Sequence, residues 1–316
     1  MITMSLREVV SLLIFALLLF VVYGLEMLLL VDYARDRIRG QSRRSALFHK
    51  RYLALHAAAV LGLGGMLYGY LIEPTWIDVP VMTLRSPKLQ DTGFRLVQIS
   101  DLHCDRKIRN EESMVRLIND LKPDIIVATG DFLNHSLGLP HLRDSLQRLN
   151  ASLGKFAVMG NQDVRWLSRL DLLESTGFRW LNGETVVVTK NADRIGIHGM
   201  PFAGSDAPSG VVGPLARERF NVLLFHTPDL IEDIGGSGVD LYLCGHTHGG
   251  QVTLPWYGAL ITFSKFGKKY ESGLYRVGET TLYVNRGLGL EPRPGPQVRF
   301  LARPEIAVFD ILPEQR

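Results

Sequence analysis

Cysteine is scarce: the 316 residues contain two, Cys104 and Cys244. Each stands beside a polar motif rather than in a spaced series, so a disulfide scaffold is excluded and both read as small buried residues at strand ends. Excess charge is small as well. The formal net charge is +3, concentrated in one short segment near the N-terminus, which argues against a nucleic-acid partner. No segment points to a protein partner. Disorder is excluded too, because 46% hydrophobic and 21% charged residues suffice for one large α/β core with an appendage.

Long hydrophobic runs are what the sequence does have. Val9 to Val31 is apolar apart from Ser11 and Glu26, and Tyr52 to Ile72 is a second run interrupted by His56. Each reaches the roughly 20 residues that a bilayer crossing needs. No small-residue cleavage site precedes Asp32 and a second run follows, so the first reads as a span and not as a signal peptide. Residues 1–72 are therefore expected to form a two-helix transmembrane hairpin in the lipid bilayer of the cell (inner) membrane. The loop between the runs carries Arg35, Arg37, Arg39, Arg43, Arg44, Lys50 and Arg51. The positive-inside rule puts it in the cytoplasm and sends the following domain to the other side, although such a loop also suits anionic lipid heads. Glu26 and His56 are expected at a helix contact or at the interface. Residues 73–93, beginning EPTWIDVPV, lack a helical period and read as a linker.

From Phe94 to the end at 316 the pattern is that of an α/β domain. Short apolar runs recur at 94–100, 124–130, 155–160, 220–225 and 239–245, as suits strands covered on both faces. Between them Met114, Leu117, Ile118 and Leu121 make one helical stripe. Leu142, Leu146 and Leu149, then Trp166, Leu170 and Leu173, repeat it. Thr227-Pro228 is a cap opening a short helix through Ile231. Later segments, GETVVVTK, DRIGIHGM, ESGLYRVGETTLYVNRG and RPEIAVFDI, read as further β structure. The expectation is two packed sheets flanked by helices.

Each apolar run ends in polar chemistry: Asp101 and His103, then Gly130-Asp131, Gly160-Asn161, His226, and His246 with His248 after Gly245. Ligands of α/β sheets bind at the carboxyl ends of strands, so five strand ends converge on one crevice. Carboxylate, imidazole and an amide oxygen together suit borderline divalent metals, Mn²⁺ first with Fe²⁺ and Zn²⁺ as alternatives, rather than Ca²⁺. Seven ligands exceed one tetrahedral site, so two ions sharing Asp131 is the economical count. Two ions about 3.5 to 4 Å apart suit in-line displacement at phosphorus. Gly130, Gly160 and Gly245 are expected to let the backbone turn toward the metals.

With DLH, GDF, GNQD, the His226 region and GHTHGGQ followed by ESGLYR, YVNRGLG and RPEI, the chain from Phe94 to Leu312 resembles the calcineurin-like metallophosphoesterase superfamily. Within it, the resemblance is to the membrane-associated YkuE-like and YaeI-like phosphodiesterase branch. The resemblance implies a four-layered α/β/β/α sandwich and attack by metal-bound hydroxide on a phosphoester. It also implies that Asp101, His103 and His248 hold one metal, that Asn161, His226 and His246 hold the other, and that Asp131 bridges them. Asp131, Asn161, Gln162 and Asp163 are the candidate catalytic positions.

One position departs from the family's Gly-Asn-His-Asp: here it is Gly160-Asn161-Gln162-Asp163. The missing histidine normally helps protonate the leaving oxygen, which glutamine cannot do. Substrates with good leaving groups, phosphoanhydrides above all, are therefore expected to be favoured. His135 is a candidate replacement, and a catalytically weak metal-binding scaffold is an alternative. Tethering suggests a lipid-linked phosphate or diphosphate as substrate. The architecture also resembles enzymes that hydrolyse UDP-2,3-diacylglucosamine in lipid A synthesis, although nucleotide-linked lipids face the cytoplasm and the loop charge points the domain outward. Arg286, Arg293, Arg299 and Arg303 are candidates to grip phosphate, and Trp256 to Lys269 to touch the bilayer.

Overall fold

The computed structural model describes residues 4–40, 49–166, 169–202, 215–292, 295 and 297–314. α1 (Leu6–Ile38) begins at a capping box in which the Ser5 hydroxyl accepts the Glu8 N–H and the Glu8 carboxylate accepts the Ser5 N–H. α2 (Leu53–Leu71) runs back against it. Both helices are long and apolar enough to cross a membrane. Arg43 and Arg44 of the intervening loop lie outside the described residues. The Tyr23 hydroxyl donates to the Ala59 carbonyl at 3.0 Å, over Gly62, where a Cβ would sit 2.6 Å from that hydroxyl. Glu26 and His56 meet each other across the helix pair, Oε1 to Nδ1 at 2.7 Å. Pairing lowers the cost that a lone polar group would carry on an apolar helix.

Two buried glutamates fasten the hairpin to the rest of the chain. Glu8 Oε1 accepts the Thr262 N–H at 2.7 Å and its hydroxyl at 3.0 Å. Glu73, just past α2, accepts the N–H groups of Leu301 at 2.9 Å and Ala302 at 2.5 Å. Segment 73–93 thus differs from the expected linker. After the Glu73 latch it forms β1 (Val81–Ser86), an edge strand, where a preceding proline costs no ladder hydrogen bond.

The chain then lays down β2 (Phe94–Ile99), α3 (Glu111–Leu121), β3 (Ile125–Ala128), α4 (Leu139–Gln147), β4 (Gly154–Ala157) and β5 (Phe178–Trp180). A second series follows: β6 (Glu184–Lys190), β7 (Asp193–Gly199), β8 (Phe220–Leu224), β9 (Leu241–Cys244), the short pair β10 (Thr253–Leu254) and β11 (Gly258–Ala259), β12 (Gly273–Val277), β13 (Thr280–Val284) and β14 (Ala307–Pro313). They make two mixed six-stranded sheets, ordered β1-β14-β2-β3-β4-β5 and β12-β13-β9-β8-β7-β6. The last strand returns to the first sheet, parallel to β1 and antiparallel to β2.

Strand alternation explains the continuous apolar runs. Phe94 and Leu96 of β2 and Ile125 and Val127 of β3 face Val222, Leu224, Leu241 and Leu243 of the other sheet. Their neighbours Val97, Ile99, Ile126 and Ala128 face Met114 and Ile118 of α3 and Leu142 and Leu146 of α4. The far face of the second sheet packs Leu223, Tyr242 and Leu282 under Leu230 and Tyr270. Among the described residues that cover consists of 3₁₀ turns at Pro228–Leu230 and Gly267–Tyr270, where the sandwich expectation called for helices. Thr227 caps the first of these turns as expected. Trp166, Leu170 and Leu173 also differ from expectation. They pack on the core from turns and loop that follow the 3₁₀ turn at Asp163–Arg165.

Replacing the Glu73 carboxylate by an amide leaves at least one buried N–H without an acceptor. Glu73→Gln in the full chain in detergent is expected to lose about 1–3 kcal/mol of stability, read as a lower denaturant midpoint; an unchanged midpoint would refute the latch.

Candidate metal centre

The carboxyl ends of five parallel strands meet at one place. Asp101 and His103 follow β2, Asp131 follows β3, Asn161 follows β4, His226 follows β8, and His246 and His248 follow β9. Asp101, His103 and His248 form one buried group able to hold a metal ion, and Asp131, His226 and His246 a second. Asn161 joins the second group, its Oδ1 3.0 Å from His226 Nε2. All seven residues expected from sequence are thereby brought together.

Asp131 stands between the groups. Its Oδ1 accepts the Gln162 N–H at 2.7 Å, which turns Oδ2 toward His226 Nε2 at 3.4 Å and His103 Nε2 at 3.8 Å. Asp101 Oδ2 accepts from the Ser100 hydroxyl at 2.5 Å and the His246 N–H at 3.0 Å. Asp101 Oδ1 is buried with no hydrogen-bond partner, facing His248 Nε2 at 3.5 Å and His103 Nε2 at 3.9 Å. A buried, unpartnered carboxylate oxygen is costly. Facing two imidazole nitrogens, it fits a divalent cation.

The surrounding groups set three histidines to offer a lone pair inward. His226 Nδ1 donates to the Thr129 carbonyl at 2.7 Å, His103 Nδ1 to Asn134 Oδ1 at 2.6 Å, and His246 Nε2 to the Phe263 carbonyl at 3.1 Å. His248 is held differently. Arg299 lies at its Nδ1, 3.3 Å away, and Glu291 at its Nε2, also 3.3 Å away. Glu291 carries no sequence signal, since a lone acid before Pro292 looks like any loop residue. Burial would raise its pKa, but His248 outweighs that and brings it down to about 2.

Gly130 turns the backbone as expected, whereas the other two glycines act differently. Gly130 has φ +95°, but Gly160 and Gly245 are required for space: a Cβ would lie 2.2 Å from Asp131 Oδ1 at the first and 2.1 Å from Asp101 Oδ2 at the second. The left-handed backbone belongs to the ligand residues themselves, with φ of 48° at Asp101, 44° at His103, 57° at Asp131, 71° at His246 and 53° at His248. Such residues cost on the order of 1–3 kcal/mol each and cluster at functional sites.

Gln162 is buried, and its backbone is what orients Asp131. Asp163 accepts three backbone N–H groups, from Asp131, Phe132 and Gly160, each at 2.8 Å. It therefore joins the loops after β3 and β4. Burial and the Asp131 charge raise its pKa to about 7, against the pull of those N–H groups. His135 caps the turn at Ser136–Gly138, with Nδ1 accepting from the Leu137 N–H and Nε2 beside Arg106. Arg299 is fully buried and donates to the carbonyls of Arg286, Gly287, Gly289 and Ala302, so it braces the site and does not reach for phosphate. Arg286 pairs with Asp78 and Glu305, Arg303 stacks on Trp76, and Arg293 lies outside the described residues.

A family model for calcineurin-like phosphoesterases matches residues 94–250. The uncharacterized metallophosphoesterase YkuE of Bacillus subtilis (strain 168) is 36% identical over 275 residues, 82% of this chain and 93% of that protein. Phosphodiesterase YaeI of Escherichia coli (strain K12) is 30% identical over 277 residues, 83% and 98% of the two chains. The UDP-2,3-diacylglucosamine pyrophosphatase LpxG of Chlamydia muridarum is 27% identical over 306 residues, 77% of this chain and 92% of that one. The chain belongs to the calcineurin-like metallophosphoesterases, hydrolases of phosphoesters that bind divalent metals.

Burial alone would lower the pKa of His226, but the Asp131 carboxylate, with Asp101 behind it, raises it to about 10 in the cation-free site. At neutral pH its ring is therefore protonated, and a cation must displace that proton. Divalent-cation binding is expected to release about one proton from this residue and to strengthen roughly tenfold per pH unit from neutrality up to about pH 10. Calorimetry in two buffers of different ionisation enthalpy measures this; identical heats in both would contradict it.

Proposed function

We propose that this chain is a membrane-tethered dinuclear-metal phosphoesterase that hydrolyses phosphodiester or diphosphate bonds of a lipid-linked substrate. In this reading Asp101, His103 and His248 hold one ion, Asn161, His226 and His246 hold the other, and Asp131 bridges. The observation that carries it is Asp131 Oδ2, set between the two groups while Oδ1 is fixed by the backbone. Mn²⁺ is the proposed metal, with Fe²⁺ and Zn²⁺ as the alternatives the mixed nitrogen and oxygen set also admits. The chemistry such a pair supplies when bound is polarisation of the phosphoryl group and a lowered water pKa.

The chain's own residues then decide which ester is cleaved. Asp131 and Asn161 fix the separation of the two halves of the site, and Asp163 holds their loops in register. Gln162 can donate a hydrogen bond to a phosphoryl oxygen but no proton to a leaving group. A departing phosphate, whose second pKa is near 6, needs that proton far less than a departing alkoxide.

The expected outcome with purified full-length protein and Mn²⁺ is faster cleavage of diphosphates and aryl diesters than of alkyl phosphodiesters. The Gln162→His variant should raise the alkyl rate by up to about 10²-fold and leave the diphosphate rate within a few-fold. Equal rates on alkyl diesters and diphosphates in the unmodified protein would defeat the leaving-group argument. A second reading, a UDP-2,3-diacylglucosamine diphosphatase-type activity, is favoured by the likeness to LpxG and by Gln162 together. Release of UMP from that substrate tests it.

A further inference from the structure

The catalytic domain touches the helix pair at heights that lie inside the apolar runs. Ser11, one turn past Glu8 and within the run that starts at Val9, hydrogen-bonds the Tyr257 hydroxyl, while its own hydroxyl donates to the Arg7 carbonyl at 2.8 Å. At the other helix, the Arg299 N–H donates to the Gly69 carbonyl at 2.9 Å. Phe300 lies on Gly65, where a Cβ would come within 3.3 Å of its ring, and meets Tyr68 edge-on at 6.2 Å between centroids. At 1.5 Å rise per residue, Gly65 is roughly 9 Å up the helix from its end at Leu71. Residues that contact Ser11 and Gly65 share their depth, whatever the depth of the hairpin as a whole.

These contacts belong to one edge. The Thr253 N–H donates to the Phe300 carbonyl at 2.8 Å and the Phe300 N–H to the Gln251 carbonyl at 2.9 Å, tying the β10–β11 hairpin to residues 299–301. At its tip Trp256 is fully exposed, beside half-exposed Tyr257, and Leu301 is exposed at the other end. Trp256 and Leu301 have φ of 60° and 53°, a conformation that bulky residues adopt only under constraint. Lys268 lies over the Tyr257 ring, 3.4 Å from its centroid. Aromatic tips with adjacent lysines are the composition of a membrane interface.

We propose that the edge made by residues 253–259 and 300–301 is embedded in the interfacial layer of the phospholipid leaflet in which α1 begins and α2 ends, with Trp256 inserted among the lipids. The same edge supports the metal centre. Phe263, whose carbonyl holds His246, follows the Thr262 that Glu8 grips, and Arg299, bonded to α2, stands against His248. The site is thus built against the headgroup plane of that leaflet and takes its phosphoester from a lipid there, a consequence that rests on the lipid-linked reading above, whereas insertion of the edge does not.

Full-length protein in phosphatidylcholine–phosphatidylglycerol vesicles tests insertion, with Trp256 emission isolated as the difference between the unmodified chain and Trp256→Phe. The expected result is strong quenching by lipids brominated near the headgroup end of the acyl chain, where interfacial aromatic rings sit, weaker quenching by lipids brominated near the methyl end, and poor quenching by aqueous acrylamide. Efficient acrylamide quenching with no effect of either brominated lipid would overturn the proposal. Turnover of a vesicle-borne lipid phosphodiester against a water-soluble one, measured on the unmodified chain, reads the lipid-substrate assignment separately. Quenching by lipid with no preference for the lipid ester would sink that assignment and leave the embedded edge standing.

Discussion

The Gln162 N–H pins one oxygen of the Asp131 carboxylate and so directs the other toward His226 and His103; most of the surrounding architecture keeps that single atom in place. Asp163 ties the Asp131 and Gly160 loops through three N–H groups. Gly160 leaves room for the carboxylate itself. Burial would protonate Asp131, but His226, His103 and the Gln162 N–H hold its pKa well below the usual carboxylate range. The charge that a cation needs is therefore already present before any cation arrives.

That preparation has a structural cost. Two buried carboxylates face each other's histidines, Asp101 keeps one oxygen unpartnered, and five ligand residues sit in left-handed backbone. The two sheets provide the compensation. Their shared interior is close to fully buried, and parallel pairing fixes the register of β2, β3 and β4 in one sheet and of β8 and β9 in the other. Strain localised at strand ends is tolerable when the strands themselves cannot shift.

The helix pair α1 and α2 bears on the same site. Glu8 and Glu73 each satisfy backbone N–H groups of loops that continue to His246 or to the Arg299 brace behind His248. The helices are thus joined to the site through hydrogen-bonded loops as well as through the chain.

Much of this was legible in the residues. The apolar runs located the central strands, because strands covered on both faces leave no polar alternation, and the polar residues closing each run marked all seven candidate ligands. The two helices long and apolar enough to cross a membrane were legible as well, since length and apolarity are local properties. What escaped depends on distant partners. β1 lies in a proline-bearing stretch and becomes a strand only because β14 returns to pair with it. Glu291 and Arg299 gain their positions from the fold alone, and where a helix was expected after Asp163 there is a turn, the Asp163 carboxylate accepting the N–H groups of Asp131 and Phe132, 32 and 31 residues earlier in the chain.

The central claim is that one Asp131 oxygen serves two ions. Elemental analysis together with electron paramagnetic resonance of the Mn²⁺-loaded full-length protein tests it most directly. Two ions per chain with a spin-coupled signal, and loss of that coupling in Asp131→Ala, is the expected result. A single ion, or two uncoupled ions in the unmodified chain, would contradict the account.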